Sequence, residues 1–251
     1  MDHPSHVAAL RRDGAAAVVA ATTDGIDAPV PGCPGWTVAD LCGHLAAIHH
    51  RVGTIVRDRL MDPPRELWGV EPPPPAERAG WLAEGHRALV AALEGADPQA
   101  PVWTWTGPRT MSFWARRMAL ETAVHRWDLE SAAGGGEPIA PELAVDGIDE
   151  LFEVFLAARR EPLYGAEPWR FGGDGERLHL HATDAPGEWV LRFAGGDVAV
   201  TREHAKGEAA LRGPASELLL VLYGRVAPGA GDAELLGNPE VLRLWTATAR
   251  I

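Results

Sequence analysis

Three consecutive glycines, Gly134-Gly135-Gly136, separate two stretches of chain whose apolar residues recur with different periods. Glycine costs ~1 kcal/mol relative to alanine inside a helix, so no regular element is expected to run through such a triplet. Before it the period is helical. Val7, Leu10, Ala17 and Val18 share one face of a helix over 5–23, which Asp24-Gly25 ends. A Pro/Gly-rich loop over 28–35 follows. Thr37 and Asp40 then form a capping box that opens a second helix, reaching about Leu60, with Val38, Leu41, Leu45, Ile48, Val52 and Ile55 on its apolar stripe. Pro63-Pro64 and Pro72 to Pro75 bracket a linker, a third helix covers about 76–94, and 97–110 reads as a loop or short extended piece. A fourth helix runs from about Ser112 to Ala133.

Beyond the glycines the pattern changes. A helix over 141–160 turns Leu143, Ile148, Leu151, Val154 and Phe155 inward, and Pro162 begins the stretch to Trp169 that separates it from a region of alternation. There Leu178 and Leu180 face one way while Arg177, His179 and His181 face the other, a strand period of two. Trp189, Leu191 and Phe193 continue as a strand, and Val198 and Val200 as another, with Ala194-Gly195-Gly196-Asp197 as the turn between them. Pro214 opens a helix through Tyr223, and Asn238-Pro239 caps and starts the last one. The expectation is two domains, 1–134 helical and 137–251 smaller and α+β.

Charge excludes several partners. The net charge is −12, with −4 before Gly134 and −8 after it, and Lys206 is the one lysine among 23 basic residues. A nucleic-acid footprint or a polybasic membrane patch needs clustered Lys and Arg, which neither half supplies. No stretch approaches the ~18 apolar residues of a membrane span, and Arg11, Arg12 and Asp13 interrupt the first apolar stretch, so a cytoplasmic location without a signal peptide is expected. The two cysteines, Cys33 and Cys42, neither define a disulfide framework nor match a common zinc spacing.

Chemistry concentrates in the fourth helix. Glu121 and His125 stand at i and i+4, on one face and about one turn apart, a spacing that suits two ligands of one metal ion. Met118, Leu120, Ala123, Val124, Trp127 and Leu129 make this helix apolar nearly all round, so it is expected to be buried. Ionisable groups buried there must be paired or bound to metal. A third ligand must come from another helix. His44 lies mid-way along the second helix among Leu41, Leu45 and Ile48, whereas His49 and His50 are adjacent, so at least one of those points outward. His86 reads as an exposed helix residue and His204 as a loop residue. For His179 and His181 a solvated strand face is a simpler account than a metal pair.

The segment Gly32-Cys33-Pro34-Gly35-Trp36-Thr37-Val38-Ala39-Asp40-Leu41-Cys42-Gly43-His44 resembles the "PGW-(T/S)-V-x-D-L-x-x-H" element of the mycothiol-dependent maleylpyruvate isomerase family, within the DinB/YfiT-like superfamily. Glu121-Thr122-Ala123-Val124-His125-Arg126-Trp127-Asp128 resembles its "E-x-x-V-H-R-W-D" element, and Gly213 to Arg225 an element of its smaller C-terminal domain. The resemblance implies a mainly α protein, a DinB-like four-helix bundle followed by an α+β domain. It implies a divalent metal, usually zinc, held by His44, Glu121 and His125, with an open coordination position that receives the thiol cosubstrate mycothiol. The metal lowers the thiol pKa, so nucleophilic thiolate exists at neutral pH.

An isomerase or a transferase acting on a small electrophile is therefore expected. In the first case thiolate adds to an activated cis double bond and leaves after rotation; in the second the adduct is the product. Arg225, by resemblance, is the candidate to pair with a substrate carboxylate in fork geometry. Arg126 is the alternative, and Asp128 is a candidate to orient a ligating imidazole. A metal-dependent hydrolase, or a non-catalytic small-molecule binding protein on the same scaffold, are the other readings.

Overall fold

The computed structural model describes residues 1–23, 25–160 and 167–249. Asp24 and Pro162, which the sequence placed at the end of the first helix and before the alternating region, lie outside the described residues. The chain forms two compact units, Met1–Glu137 and Pro138–Ile251.

The first unit consists of four long helices: α1 (His3–Thr23), α2 (Val38–Arg57), α3 (Arg78–Glu94) and α4 (Met111–Ser131). Two 3₁₀ turns, Arg65–Leu67 and Pro75–Glu77, interrupt the proline-rich linker between α2 and α3. Helix α2 packs chiefly on α3, and α1 chiefly on α4. Its start is fixed locally. The Thr37 hydroxyl accepts the Asp40 N–H at 3.2 Å, the Asp40 carboxylate accepts the Thr37 N–H at 3.1 Å, and Arg78 reaches across from α3 to Asp40 at 3.0 Å. These contacts hold the Asp40 carboxyl below the usual carboxylate range, with the Thr37 backbone the largest cause. One cluster of buried side chains, among them Ala17, Leu41, Leu45, Leu82 and Leu129, draws on all four helices. Residues 135–137 stay with this unit because Glu130 accepts the Glu137 N–H at 2.9 Å and Arg126 donates to the Glu137 carbonyl at 2.6 Å.

His86 is a correction to the sequence reading, being buried rather than exposed. It lies four residues after Leu82 and three before Leu89, both fully buried, and so shares their inward face. Helix α1 approaches so closely there that a Cβ on Gly14 would come within 2.2 Å of the His86 ring. Nor does either of the adjacent pair His49 and His50 point to solvent. His49 is fully buried, and His50 is half-buried, stacked on Trp81 at 5.0 Å.

In the second unit α5 (Pro141–Glu150) continues as a π-helical segment, Leu151–Leu156. A five-stranded sheet follows: β1 (Arg177–Ala182), β2 (Glu188–Ala194), β3 (Asp197–Thr201), β4 (Ala209–Gly213) and β5 (Glu234–Gly237), in the order β3-β2-β1-β4-β5. Only the β1–β4 pair is parallel. Helices α6 (Ala215–Leu222) and α7 (Pro239–Thr246) pack on β1 and β4. The sheet face carrying Leu178, Leu180, Trp189, Leu191 and Phe193 is fully buried, and the period-two reading of β1 to β3 holds. Strands β4 and β5 were not expected from the sequence.

Candidate metal centre

Five polar or charged side chains of α4 are buried, Arg117, Thr122, His125, Arg126 and Asp128. Burial of this kind is tolerated only when partners are supplied. Thr122 meets His49 of α2 at 2.8 Å. Arg126 pairs with Glu130 at 2.6 Å and with Asp13 of α1 at 3.4 Å. It thus ties α4 to α1 rather than joining His125, its immediate neighbour, since consecutive helical side chains do not face each other.

The remaining groups converge. Glu121 Oε1 lies 3.5 Å from His44 Nε2 and 3.3 Å from His125 Nε2, and one ligand atom from each of the three residues lies within 4.8 Å of the others. The other carboxylate oxygen, Oε2, is taken by Arg117, one turn earlier on α4. On its far side His125 Nδ1 donates to Asp128 Oδ2 at 2.9 Å, which leaves Nε2 as the nitrogen facing Glu121. The His44 and His125 rings meet nearly at right angles, 5.2 Å between centroids, and Trp36 packs edge-on to His44 at 5.0 Å.

The electrostatics follow from this arrangement. Burial alone would push the Glu121 carboxyl up, but Arg117 and hydrogen bonds from His125 and His44 outweigh it and hold the group well below the carboxylate range. Burial would push His125 down, yet Asp128, Cys33 and Glu121 raise it well above the usual imidazole value. Access is uneven. The side chain of His125 is 10% exposed and that of Glu121 15%, against 37% for His44, so the approach is from the His44 side.

Sequence reasoning missed two residues here. Arg117 precedes Glu121 by the same four-residue step that separates Glu121 from His125, a signal that was available. Cys33 matches no common zinc spacing in the sequence, yet its thiol lies 3.6 Å from Asp128 Oδ2, and Cys33, His125 and Asp128 form a second convergent group. Arg225 belongs to the second unit. Its backbone N–H closes on Leu220 at 2.8 Å and that of Gly224 on Val221 at 3.0 Å, a Schellman cap in which Gly224 takes φ +71°, while Arg225 Nη1 donates to the Tyr223 carbonyl at 3.0 Å.

The family model described as the mycothiol maleylpyruvate isomerase N-terminal domain matches residues 7–130, and that of the MDMPI C-terminal domain matches 142–244. The chain belongs to the mycothiol-dependent maleylpyruvate isomerase family. It is thereby a member of a family of enzymes. Two solved structures share the fold, both titled as crystal structures of the mycothiol-dependent maleylpyruvate isomerase. One, of a histidine-to-alanine variant, has a TM-score of 0.65 at 13% identity; the other has 0.63 at 14%. Each alignment covers 94% of this chain and 93% of the other. No curated protein matches the sequence. No helix among the described residues is long and apolar enough to cross a membrane.

One pH effect arises beside the centre. Burial, reinforced by neighbouring His86, pushes the His49 imidazole down to about 3. Its unfolded value is about 6.5. Between those two values the unfolded chain holds a proton that the folded chain does not, so stability falls as pH falls through this window. Between pH 7 and pH 5 wild type should lose about 2 kcal/mol more than His49→Gln, which keeps a partner for Thr122. Urea unfolding at the two pH values measures it, and equal losses would refute the assignment.

Proposed function

We propose that α1 to α4 form a DinB-type four-helix bundle, domain 1–134, whose His44, Glu121 and His125 hold a divalent metal ion, most simply zinc, and that the chain is a cytoplasmic isomerase using mycothiol. The observation that carries this reading is the donor set. Two imidazole nitrogens and one carboxylate oxygen converge, and the second carboxylate oxygen is already occupied by Arg117. Three donors of this kind fit a zinc site that keeps one position open, and that position suits catalysis rather than structure. When bound, such an ion lowers the pKa of a thiol at its open position, so that thiolate is available at neutral pH.

The chain's own residues do the rest. Asp128 accepts from His125 Nδ1 and so keeps the proton on that nitrogen; Nε2 is then the nitrogen that would give up its proton and offer a lone pair to an ion. Arg117 keeps Glu121 ionised, and Trp36 shields one edge of His44. In the reaction the mycothiol sulfur forms a C–S bond to one carbon of the activated cis double bond, and its π electrons move onto the conjugated carbonyl. Rotation about the resulting single bond, followed by return of those electrons and cleavage of the C–S bond, releases the trans isomer and the thiolate. No proton or electron is consumed. In this proposal Arg225 of domain 137–251 pairs with a substrate carboxylate.

Incubation of the purified protein with mycothiol and maleylpyruvate, followed by chromatography, should give the trans isomer with mycothiol recovered unchanged. Accumulation of a stable mycothiol conjugate would make the protein an S-transferase. Turnover without any thiol would overturn the thiol-dependent reading.

A further inference from the structure

The polar face of the sheet in the second unit carries a histidine cluster that shares no residue with the helical centre. His179 and His181 lie two apart on β1 and so share that face. Glu188 on β2 stands directly opposite His181 in the antiparallel register. His204, from the connection between β3 and β4, completes the group. Glu188 Oε2 is shared by His179 Nε2, at 3.0 Å, and His204 Nδ1, while Oε1 lies 3.3 Å from His181 Nδ1. The three rings are mutually edge-to-face at 5.4 to 6.2 Å. One ligand atom from each of the four residues lies within 4.8 Å of all the others.

We infer that His179, His181, Glu188 and His204 form a second metal site, for a late first-row divalent cation of the zinc type. A tetrahedral ion with bonds of ~2.0–2.1 Å sets its ligand atoms roughly 3.3 Å apart, so the four donors need only close by small side-chain rotations. Three imidazole nitrogens with one carboxylate suit zinc, copper or nickel better than magnesium or calcium, which prefer all-oxygen shells. Three of the donors stand on paired strands, which holds their geometry firmly. His179 is 9% exposed, whereas the His204 side chain is 78% exposed, so the ion closes over the sheet from the loop side. With four protein donors the site is complete, which marks it as structural. Its effect is to staple the 202–208 connection onto β1 and β2.

The test uses tag-free His125→Ala protein, stripped with chelator and titrated with Zn²⁺, so that the outcome does not depend on the helical centre. One equivalent should bind, and adding His204→Ala should weaken it by at least the ~10–100-fold that losing even an outer partner of a ligand costs. Zinc should also slow tryptic cleavage after Lys206 in the first protein and not in the second. His204 is exposed enough that its replacement leaves the fold intact, and His181→Ala provides a second variant. Zinc affinity unchanged by both substitutions, or no tight zinc in His125→Ala protein, would overturn the inference.

Discussion

If His44, Glu121 and His125 hold a metal as proposed, His125→Ala should cost the helical unit that ion and lower mycothiol-dependent isomerisation at least ~100-fold. The magnitude follows from the several kcal/mol of charge stabilisation that a catalytic metal supplies, at about 1.4 kcal/mol per decade of rate. The substitution removes a side chain that touches both Glu121 and Asp128. Asp128→Asn separates the two roles. It leaves all three proposed ligands in place but loses the anion that orients His125, so metal affinity should fall by about 10–100-fold while added metal restores much of the rate. Metal content by mass spectrometry and initial rates at several metal concentrations measure both effects. A His125→Ala protein that binds as many equivalents of metal as wild type and keeps its rate would rule out the proposed centre.

Arg117→Met should destabilise the metal-free protein by about 3–5 kcal/mol, the usual result of removing one partner from a buried ion pair. The side chains of Arg117 and Glu121 are 7% and 15% exposed, so water replaces little of the lost attraction. Methionine conserves most of the apolar stem, so the loss reports charge rather than volume. A bound cation would supply an alternative partner for Glu121. The penalty should therefore shrink when the same denaturation is run with excess zinc instead of chelator. A loss below 1 kcal/mol in chelator would show that Glu121 does not depend on Arg117.

The difference between these residues in sequence terms is instructive. The Thr37/Asp40 capping box and the Glu121/His125 step are local patterns, and the structure places Glu121 and His125 on one face of α4. His44 was accessible too, because its position on an apolar face aims it at a neighbouring helix. Cys33 was not. It reaches Asp128 from a loop shaped by Gly35 at φ +85° and by the Pro29–Thr37 bridge, which no period encodes. His86 stands a helical step from Leu82 and Leu89, but an imidazole adds no apolar signal to that face, so its burial does not show in the hydrophobic pattern. Strand β4 alternates in burial, but its sequence Ala-Ala-Leu-Arg-Gly sets no polar residue between Ala209 and Leu211, and β5 has four residues with none buried, so neither shows alternation in the sequence. Their pairing is non-local, and His204 joins His179, His181 and Glu188 for the same non-local reason. A strand face can be read from β1 alone, but what the following loop brings to that face cannot.

The parallel pairing of β1 with β4 also fixes the order in which the sheet can be built. Strands β1, β2 and β3 are joined by short antiparallel connections and can assemble as soon as residues to Thr201 exist. The second edge of β1 has no neighbour until Ala209–Gly213 has been added, and β5 cannot join before β4. In a chain emerging from a ribosome, β1 therefore passes through a stage as an exposed edge strand, with unpaired backbone groups along a row that includes Leu178 and Leu180. The histidines and Arg177 on its other face make that transient edge less prone to pair with a second nascent chain.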